Sequence, residues 1–498
     1  MQPQLFFDGT PVPMAGFADS VARAAGGFDA LGVREGDVVC LLFRNHPSFL
    51  AAQLGARRLG AYTCPINWHF KAEEAGWILR DSGAKLLVAQ SDLLAQVAEG
   101  IPAGVRVVDA GLPEGAEVPA WRRWLQAQPA YAGPERVARA SMPYTSGTTG
   151  RPKGVRRLAP REGDAARAAA LLARNVRTVY GLEPGARALL PAPLYHSAPN
   201  MYAIQALLQG AALFLESRFD PERVLQRIAE ARLQRAYLVP TMFARLLKLP
   251  DAVRRRYDVS SMEFVITMGS PCAPELKRAM IDWWGPVIHE SYAASELGLV
   301  TFIAAGEALR KPGSAGRPID GVRLRILDAD GRALPAGETG LVYARQEGYA
   351  DFTYNNNDAA RRSLERDGLW TLGDMGRLDE DGYLFLSDRA VDMVISGGVN
   401  IYPAEIEAVL ITMPGVADCA VFGVPDAEFG EAVAAAVQPQ PGAGLTEAAV
   451  REWLGARIAN YKLPRVIAFH EALPREDSGK LFKRRLRAPY WEKAGRAI

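Results

Sequence analysis

The sequence predicts an α/β fold in two parts: a large N-terminal domain of helix-covered sheets with a β-rich subdomain, residues 1–388, and a small α+β C-terminal domain, residues 389–498. Three observations point there. Short apolar runs alternate with helical patterns from Val38 onward, the texture turns to short strands and turns between Arg317 and Ser387, and a complete core-forming set of elements follows Asp388. At 498 residues, 49% hydrophobic and 23% charged, the chain is too long for one core and too apolar to be disordered.

In order, the alternation runs DVVCLLF, a helix through FLAAQLGARRLG, then INWHFKAEEAGWILRDSGA and KLLVAQS. It recurs at ARALLPAP, AALFLES, RAYLVPT and EFVITMG. Short apolar runs separated by helices are the sequence form of a parallel sheet covered on both faces. In VRLRILDADGRALPAGETGLVYAR, the segments DADGR and PAGETG read as hairpin-type turns of the β subdomain. Past Asp388 come a helix YPAEIEAVLITM, strands DCAVFGVP and EAVAAAVQP, a helix TEAAVREWLGARI and a strand RVIAFHEALP, with a hinge expected at 388–392. The basic tail KRRLRAPYWEKAGRAI reads as a solvated terminal helix.

Lys plus Arg number 58 against 56 Asp plus Glu, a net charge of +2 that gives no field for nucleic acid. Cys40, Cys64, Cys272 and Cys419 lack CxxC spacing, and the N-terminus lacks a basic region followed by an apolar core. No apolar run nears the roughly 20 residues that span a bilayer. A reduced, cytoplasmic setting with no nucleic-acid partner and no transmembrane segment is expected, and a homodimer is left open.

Residues 144–155 read YTSGTTGRPKGV. Closely spaced glycines let backbone N–H groups approach phosphate oxygens, the hydroxyls of Ser146, Thr148 and Thr149 add donors, and Lys153 can neutralise charge. The pattern is not GxxxxGK[ST], because Gly154 follows the lysine where Ser or Thr should stand.

This loop resembles the phosphate loop of the adenylate-forming enzymes, the superfamily of acyl-CoA synthetases, aryl-CoA ligases, carrier-loading adenylation domains and luciferases. Further motifs follow in that family's order: LPAPLYHSAPN, HESYAASELG, WTLGDMGRLDEDGYLFLSDR, DMVISGGVNIYPAEIE and LPREDSGKLFKRRLR. The resemblance implies that Thr145, Ser146, Gly147, Thr148, Thr149 and Lys153 clamp the β- and γ-phosphates of ATP. It places Tyr292 against the adenine, Ser295 beside the α-phosphate, Glu296 on Mg2+, Asp374 on the ribose hydroxyls and Arg389 near ribose and phosphate. An aromatic face suits a base, and a carboxylate suits a hard cation. Alone, HESYAASE would read as a helix N-terminus capped by Ser295.

Lys480 resembles the family lysine that reaches the reacting carboxylate and the α-phosphate, where an ammonium stabilises the charge that develops as pyrophosphate leaves. Lys480, Glu296 and His196 are the expected catalytic residues. His196 sits where the family lines the acyl pocket and gates the thiol channel, with Tyr195, Gly269 and Ala293 in the same pocket. Gly397, Gly398 and Asn400 resemble the loop that forms the pantetheine tunnel after the mobile C-terminal domain rotates. The family hinge position, usually Lys or Asp, is Val391 here, so the pivot falls there or one residue on at Asp392.

The reaction implied is an acid–CoA ligation with ATP, Mg2+ and coenzyme A. Amino-acid-activating relatives carry Asp where this chain has His196, and a buried ammonium without a counter-charge is costly, so an amino acid is disfavoured. Ala293 stands where ligases for long or bulky acids usually carry Gly, which predicts an aromatic, heteroaromatic or short-to-medium-chain acid. Bile-acid-type or longer acids, loading of a separate carrier protein, and adenylate binding without turnover are the alternatives.

Overall fold

A computed structural model describes residues 4–113, 115, 118–145, 152–158, 163, 165–389, 392–396, 399–426, 429–475 and 481–493. The chain opens with a hairpin that the sequence reading passed over. Strands β1 (Gln4–Phe7) and β2 (Thr10–Val12) pair antiparallel around Asp8 and Gly9, whose φ angles are 48° and 81°. Two successive positive φ angles make a type I′ turn, for which Asp-Gly is a preferred pair.

Strands β3 (Val38–Leu42), β4 (Tyr62–Pro65), β5 (Ala84–Ala89) and β6 (Arg106–Asp109) form a four-stranded parallel sheet in the order β4-β3-β5-β6. Every residue of β3 is buried, as a strand covered on both faces requires. The helix after β3, Pro47–Arg58, packs closely on Met14–Ala30. A Cβ on Gly55 would stand 2.8 Å from that of Ala24, so glycine sets the approach.

β7 (Tyr144–Thr145) and β8 (Lys153–Arg157) are the two arms of a hairpin that frames the glycine-rich segment, with Thr145 opposite Lys153 and Tyr144 opposite Gly154. Then β9 (Arg187–Leu190), β10 (Ala212–Leu215), β11 (Arg235–Tyr237), β12 (Phe264–Thr267) and β13 (Ile288–Glu290) join the N-terminal hairpin in a seven-stranded sheet, β13-β12-β11-β9-β10-β1-β2, in which only β2 runs antiparallel. The single rhythm in the sequence therefore resolves into two sheets. Phe28, Phe49, Leu189 and Phe243 belong to one continuous core.

The β subdomain is a five-stranded antiparallel sheet built on Val322–Leu327, Gly340–Gln346, Leu369–Leu378 and Leu384–Arg389, with the short strand Glu365–Arg366 at one edge. DADGR and PAGETG are both turns of this subdomain. Both lie in the one connection between Val322–Leu327 and Gly340–Gln346. The first turn gives a lone bridge, Leu327 to Ala333, before Pro335 removes a donor, and the second sends the Gly337 N–H to the Leu378 carbonyl at 2.8 Å.

The C-terminal part carries the expected elements: helix Pro403–Leu410, strands Val416–Asp426 and Gly430–Pro439, helix Glu447–Gly455 and strand Val466–Phe469. A hairpin of Val394–Ser396 and Val399–Ile401 precedes them. Ile406, Leu410, Val421, Val437, Val450 and Leu454 make a separate core. The terminal helix, Lys483–Lys493, is less solvated than its charge suggests. The Trp491 indole donates to the Gly423 carbonyl at 3.1 Å and Tyr490 packs near Phe422. The four cysteines are free and buried. Among the described residues no helix is long and apolar enough to cross a membrane.

Candidate active site

In open parallel sheets, sites form beyond the carboxyl ends of the strands. Tyr195 and His196 follow β9, Gly269 follows β12, and Tyr292, Ala293, Ser295 and Glu296 follow β13. All seven line one cleft of about 2710 Å³, together with Thr145, Lys153 and Asp374. Glu405, Glu407, Asp418, Arg475 and Lys483 form its C-terminal rim. Ser146, Gly147, Thr148, Thr149, Val391, Gly397, Gly398 and Lys480 lie outside the described residues. For Arg389 and Asn400 only the backbone is described, Arg389 paired opposite Asp374 and Asn400 opposite Ile395.

HESYAASE is not a helix start. Ala293–Ala294 pairs with Gly298–Leu299 in a tight hairpin, with Ser295 and Glu296 at its turn and Gly298 at φ 78°. The turn projects Glu296 into a buried position, where its Oε1 accepts from the Thr145 hydroxyl at 3.2 Å and the Tyr354 hydroxyl at 3.0 Å. The Lys153 ammonium stands 5.2 Å over the Tyr354 ring. Among the described residues no three His, Cys, Asp or Glu side chains converge, so Glu296 offers a single hard carboxylate. That donor set suits a cation that keeps most of its ligands as water or phosphate oxygen.

Beside it, the Tyr292 hydroxyl donates to Asp374 Oδ2 at 2.5 Å. Arg157 holds the turn from below. Its Nη2 donates to the Ser295 carbonyl at 2.7 Å and its Nη1 to the Ala350 carbonyl at 3.0 Å, and burial lowers its pKa. The Ser197 and Ser295 hydroxyls are 2.9 Å apart.

The frame of the glycine-rich segment is anchored from helix Ala72–Asp81. The Tyr144 hydroxyl donates to Asp81 Oδ2 at 2.7 Å, and the side-chain amides of Asn355 and Asn356 both donate to the Asp81 carbonyl. A Cβ on Gly154 would lie 2.8 Å from the Tyr144 ring, so that ring rests on the far arm of the hairpin. The Trp77 indole donates to the Pro152 carbonyl at 3.3 Å. Burial and the neighbouring acid and thiol groups raise the Tyr144 pKa, keeping the phenol a donor.

His196 occupies the N-cap position of helix Ser197–Leu208, its ring centroid 4.2 Å from that of Tyr195. Cys272 and Glu290 line the cleft, and the buried Lys277 ammonium pairs with Glu290. Burial raises the Glu290 pKa, with Lys277 opposing it.

Sequence reasoning missed Arg157, Tyr354, Asp81 and Ser197. Each reaches its partner across 58 to 138 residues. Only Arg157 left a trace, four residues past Lys153 on the same strand.

Comparison with known proteins gives this geometry its family. Residues 5–351 match the model of the AMP-binding enzyme family, and residues 405–480 match that of the AMP-binding enzyme C-terminal domain. The chain is 34% identical to a feruloyl-CoA synthase of Amycolatopsis sp. over 96% of this chain and 94% of that one. It is 34% identical to the long-chain-fatty-acid–CoA ligase FadD13 of Mycobacterium tuberculosis over 94% and 91%. The solved anthranilate CoA ligase AuaEII, in complex with anthranoyl-AMP, superimposes with a TM-score of 0.85 at 26% identity, over 99% of this chain and 94% of that one. The chain belongs to the AMP-binding enzyme family.

Proposed function

We propose that this AMP-forming acid–CoA ligase acts on an aromatic, heteroaromatic or short-to-medium-chain carboxylic acid. The observation that carries the reading is the meeting of Thr145, Glu296, Tyr354, Tyr292 and Asp374 in one cleft with Tyr195, His196 and Ala293. Polar groups suited to a nucleotide and apolar groups suited to an acid then share one reaction volume.

The reaction has two halves. A carboxylate and ATP give an enzyme-bound acyl adenylate and pyrophosphate, and the CoA thiol then attacks the activated carbonyl and releases AMP. A free carboxylate resists a nucleophile, whereas the mixed anhydride carries a good leaving group. Thr145 and Lys153 bind the β- and γ-phosphates with Ser146, Gly147, Thr148 and Thr149. Tyr292 stacks on the adenine, Asp374 accepts from the ribose hydroxyls, and Ser295 and Arg389 flank the α-phosphate. Lys480 neutralises the oxygens of the reacting carboxylate and α-phosphate. Glu296 would hold Mg2+, which, when bound, offsets charge on the phosphates. Gly397, Gly398 and Asn400 line the pantetheine path, and the small domain, residues 389–498, turns about Val391 or Asp392 between the halves.

Every residue in this reading comes from one copy of the chain, so it requires no dimer. The free, buried cysteines support a cytoplasmic setting. Pyrophosphate release with a panel of carboxylic acids, and AMP formation with CoA added or omitted, tests the reading. Aromatic, heteroaromatic or hexanoate-like acids should lead. Activity greatest on palmitate or on steroid acids would sink the substrate class, and AMP release that needs a carrier protein instead of CoA would sink the acceptor.

A further inference from the structure

The cleft is polar at two ends. Beyond His196 it reaches Tyr180, the last residue of helix Ala165–Tyr180, and Tyr237, the last residue of β11, both of which line it. Each is only 1% exposed. Neither side chain hydrogen-bonds to another described residue, and both residues border the cavity, whereas the Tyr202 phenol oxygen is buried without a partner among the described residues. Tyr202, on the helix that His196 caps, bridges them through ring contacts of 5.4 Å to Tyr180 and 5.7 Å to Tyr237. The Gln205 amide, one turn on, also borders the cavity, and its Nε2 meets only the weak thioether acceptor of Met201 at 3.6 Å. Met201, Ile204 and Leu172 supply apolar wall between these groups.

A phenol that borders a cavity and has no protein partner is completed by water or by a ligand. A packing role would be served as well by phenylalanine. Burial raises the pKa of both phenols, so each stays protonated and can donate as well as accept. Tyr202 lies six residues beyond His196, roughly 9 Å along the helix axis at 1.5 Å per residue. An acid whose carboxylate is activated beside His196 would bring the far side of a single aromatic ring to this layer.

We infer that Tyr180 and Tyr237 form a specificity subsite for an aromatic acid carrying a hydroxyl on the ring position remote from its carboxylate. This rests on the acid–CoA ligase reading and narrows its substrate class. The rings of Tyr180 and Tyr237 receive the substrate ring, with Tyr202 packed behind them, and their hydroxyls exchange hydrogen bonds with the substrate hydroxyl. An analogue without that hydroxyl leaves both phenols unpaired again, which is the larger part of the discrimination.

The test uses the full-length enzyme and two matched pairs, 4-hydroxycinnamate with cinnamate and 4-hydroxybenzoate with benzoate. kcat/KM is measured for the wild type, Tyr180→Phe, Tyr237→Phe and the double variant. The hydroxylated member of at least one pair should lead by at least tenfold in the wild type, and the ratio should fall toward one in the double variant. The Tm should hold or rise, because no protein hydrogen bond is lost. A wild-type ratio near one in both pairs, or a ratio the double variant leaves unchanged, overturns the subsite and reduces the hydroxyls to holders of water. Absence of pyrophosphate release with every acid overturns instead the ligase reading on which it rests.

Discussion

The two ends of the cleft are built in opposite ways. At the end proposed for the nucleotide the polar side chains are already paired: Thr145 and Tyr354 with Glu296, Tyr292 with Asp374, Arg157 with the Ser295 carbonyl, Tyr144 with Asp81. At the acyl end, apolar walls surround Tyr180 and Tyr237, whose hydroxyls meet no partner among the described residues. Prior pairing fixes geometry before a ligand arrives and favours one ligand that never changes. Unpaired groups in an apolar cavity penalise every ligand that fails to complete them. Under the proposed function, the paired end sets the chemistry and the unpaired end sets the selectivity.

The largest effect should come from the proposed catalytic lysine. Lys480→Ala should slow adenylate formation by about 10²–10³-fold, since it removes charge stabilisation present mainly in the transition state. ATP affinity, read by calorimetry, should change only a few-fold. Loss of both together would break the division between binding and chemistry.

Next is the wall beneath the acyl end. Lys277→Met strands the Glu290 carboxylate in a buried position, and breaking such a pair costs about 3–5 kcal/mol. Urea unfolding should show that loss, and adding Glu290→Gln should recover part of it. An unchanged midpoint would mean that the pair contributes nothing to the floor of the cavity.

A control away from both ends sharpens the contrast. His46 accepts the Ser48 N–H at Nδ1 and has the Gly115 carbonyl 3.2 Å from Nε2, so the bonded tautomer is neutral. Burial, opposed by the Gly115 bond and Asp8, lowers its pKa from 6.5 to about 4. The unfolded chain therefore binds the extra proton first. Stability is fully present above pH 6.5 and falls as pH drops toward 4, by roughly 3 kcal/mol at 1.36 kcal/mol per pH unit. His289, lowered to about 4 by burial and then Arg235, adds in the same direction. In His46→Asn, which keeps an acceptor for Ser48, the unfolding free energy should depend less steeply on pH in that window. An unaltered slope contradicts the assignment.

The smallest effect should lie in the frame of the phosphate loop. Tyr144→Phe removes one hydrogen bond, worth about 1.5–3 kcal/mol when the acceptor is charged. KM for ATP should rise several-fold while the preference among acids stays fixed. A change in acid preference would show that the frame serves the wrong end.

The same division explains what the sequence disclosed. The strands and helices were legible because each apolar run is local, and the residues proposed for the nucleotide stand out because they sit in contiguous motifs such as HESYAASE and LGDMG. The hairpin at Asp8-Gly9 is signalled only by its turn pair, because its arms QLFF and TPV are too short to show a period. Tyr180, Tyr202 and Tyr237 carry no motif. Their convergence needs the end of one helix, the middle of another and the tip of β11 to meet, and no spacing in the chain encodes that. DADGR and PAGETG read as hairpin-type turns, and both lie in the one connection of an antiparallel pair, because turn chemistry is local while strand pairing is not.

Exchange of labelled pyrophosphate into ATP across an acid panel tests the separation of the two ends most directly. It compares the wild type, Asp374→Asn and the Tyr180→Phe, Tyr237→Phe double variant. Asp374→Asn should raise KM for ATP by about tenfold, the worth of one charge-assisted hydrogen bond, and slow every acid by one common factor. The double variant should reorder the acids and leave KM for ATP unchanged. Reordering by Asp374→Asn, or a shift in KM for ATP in the double variant, would contradict the account.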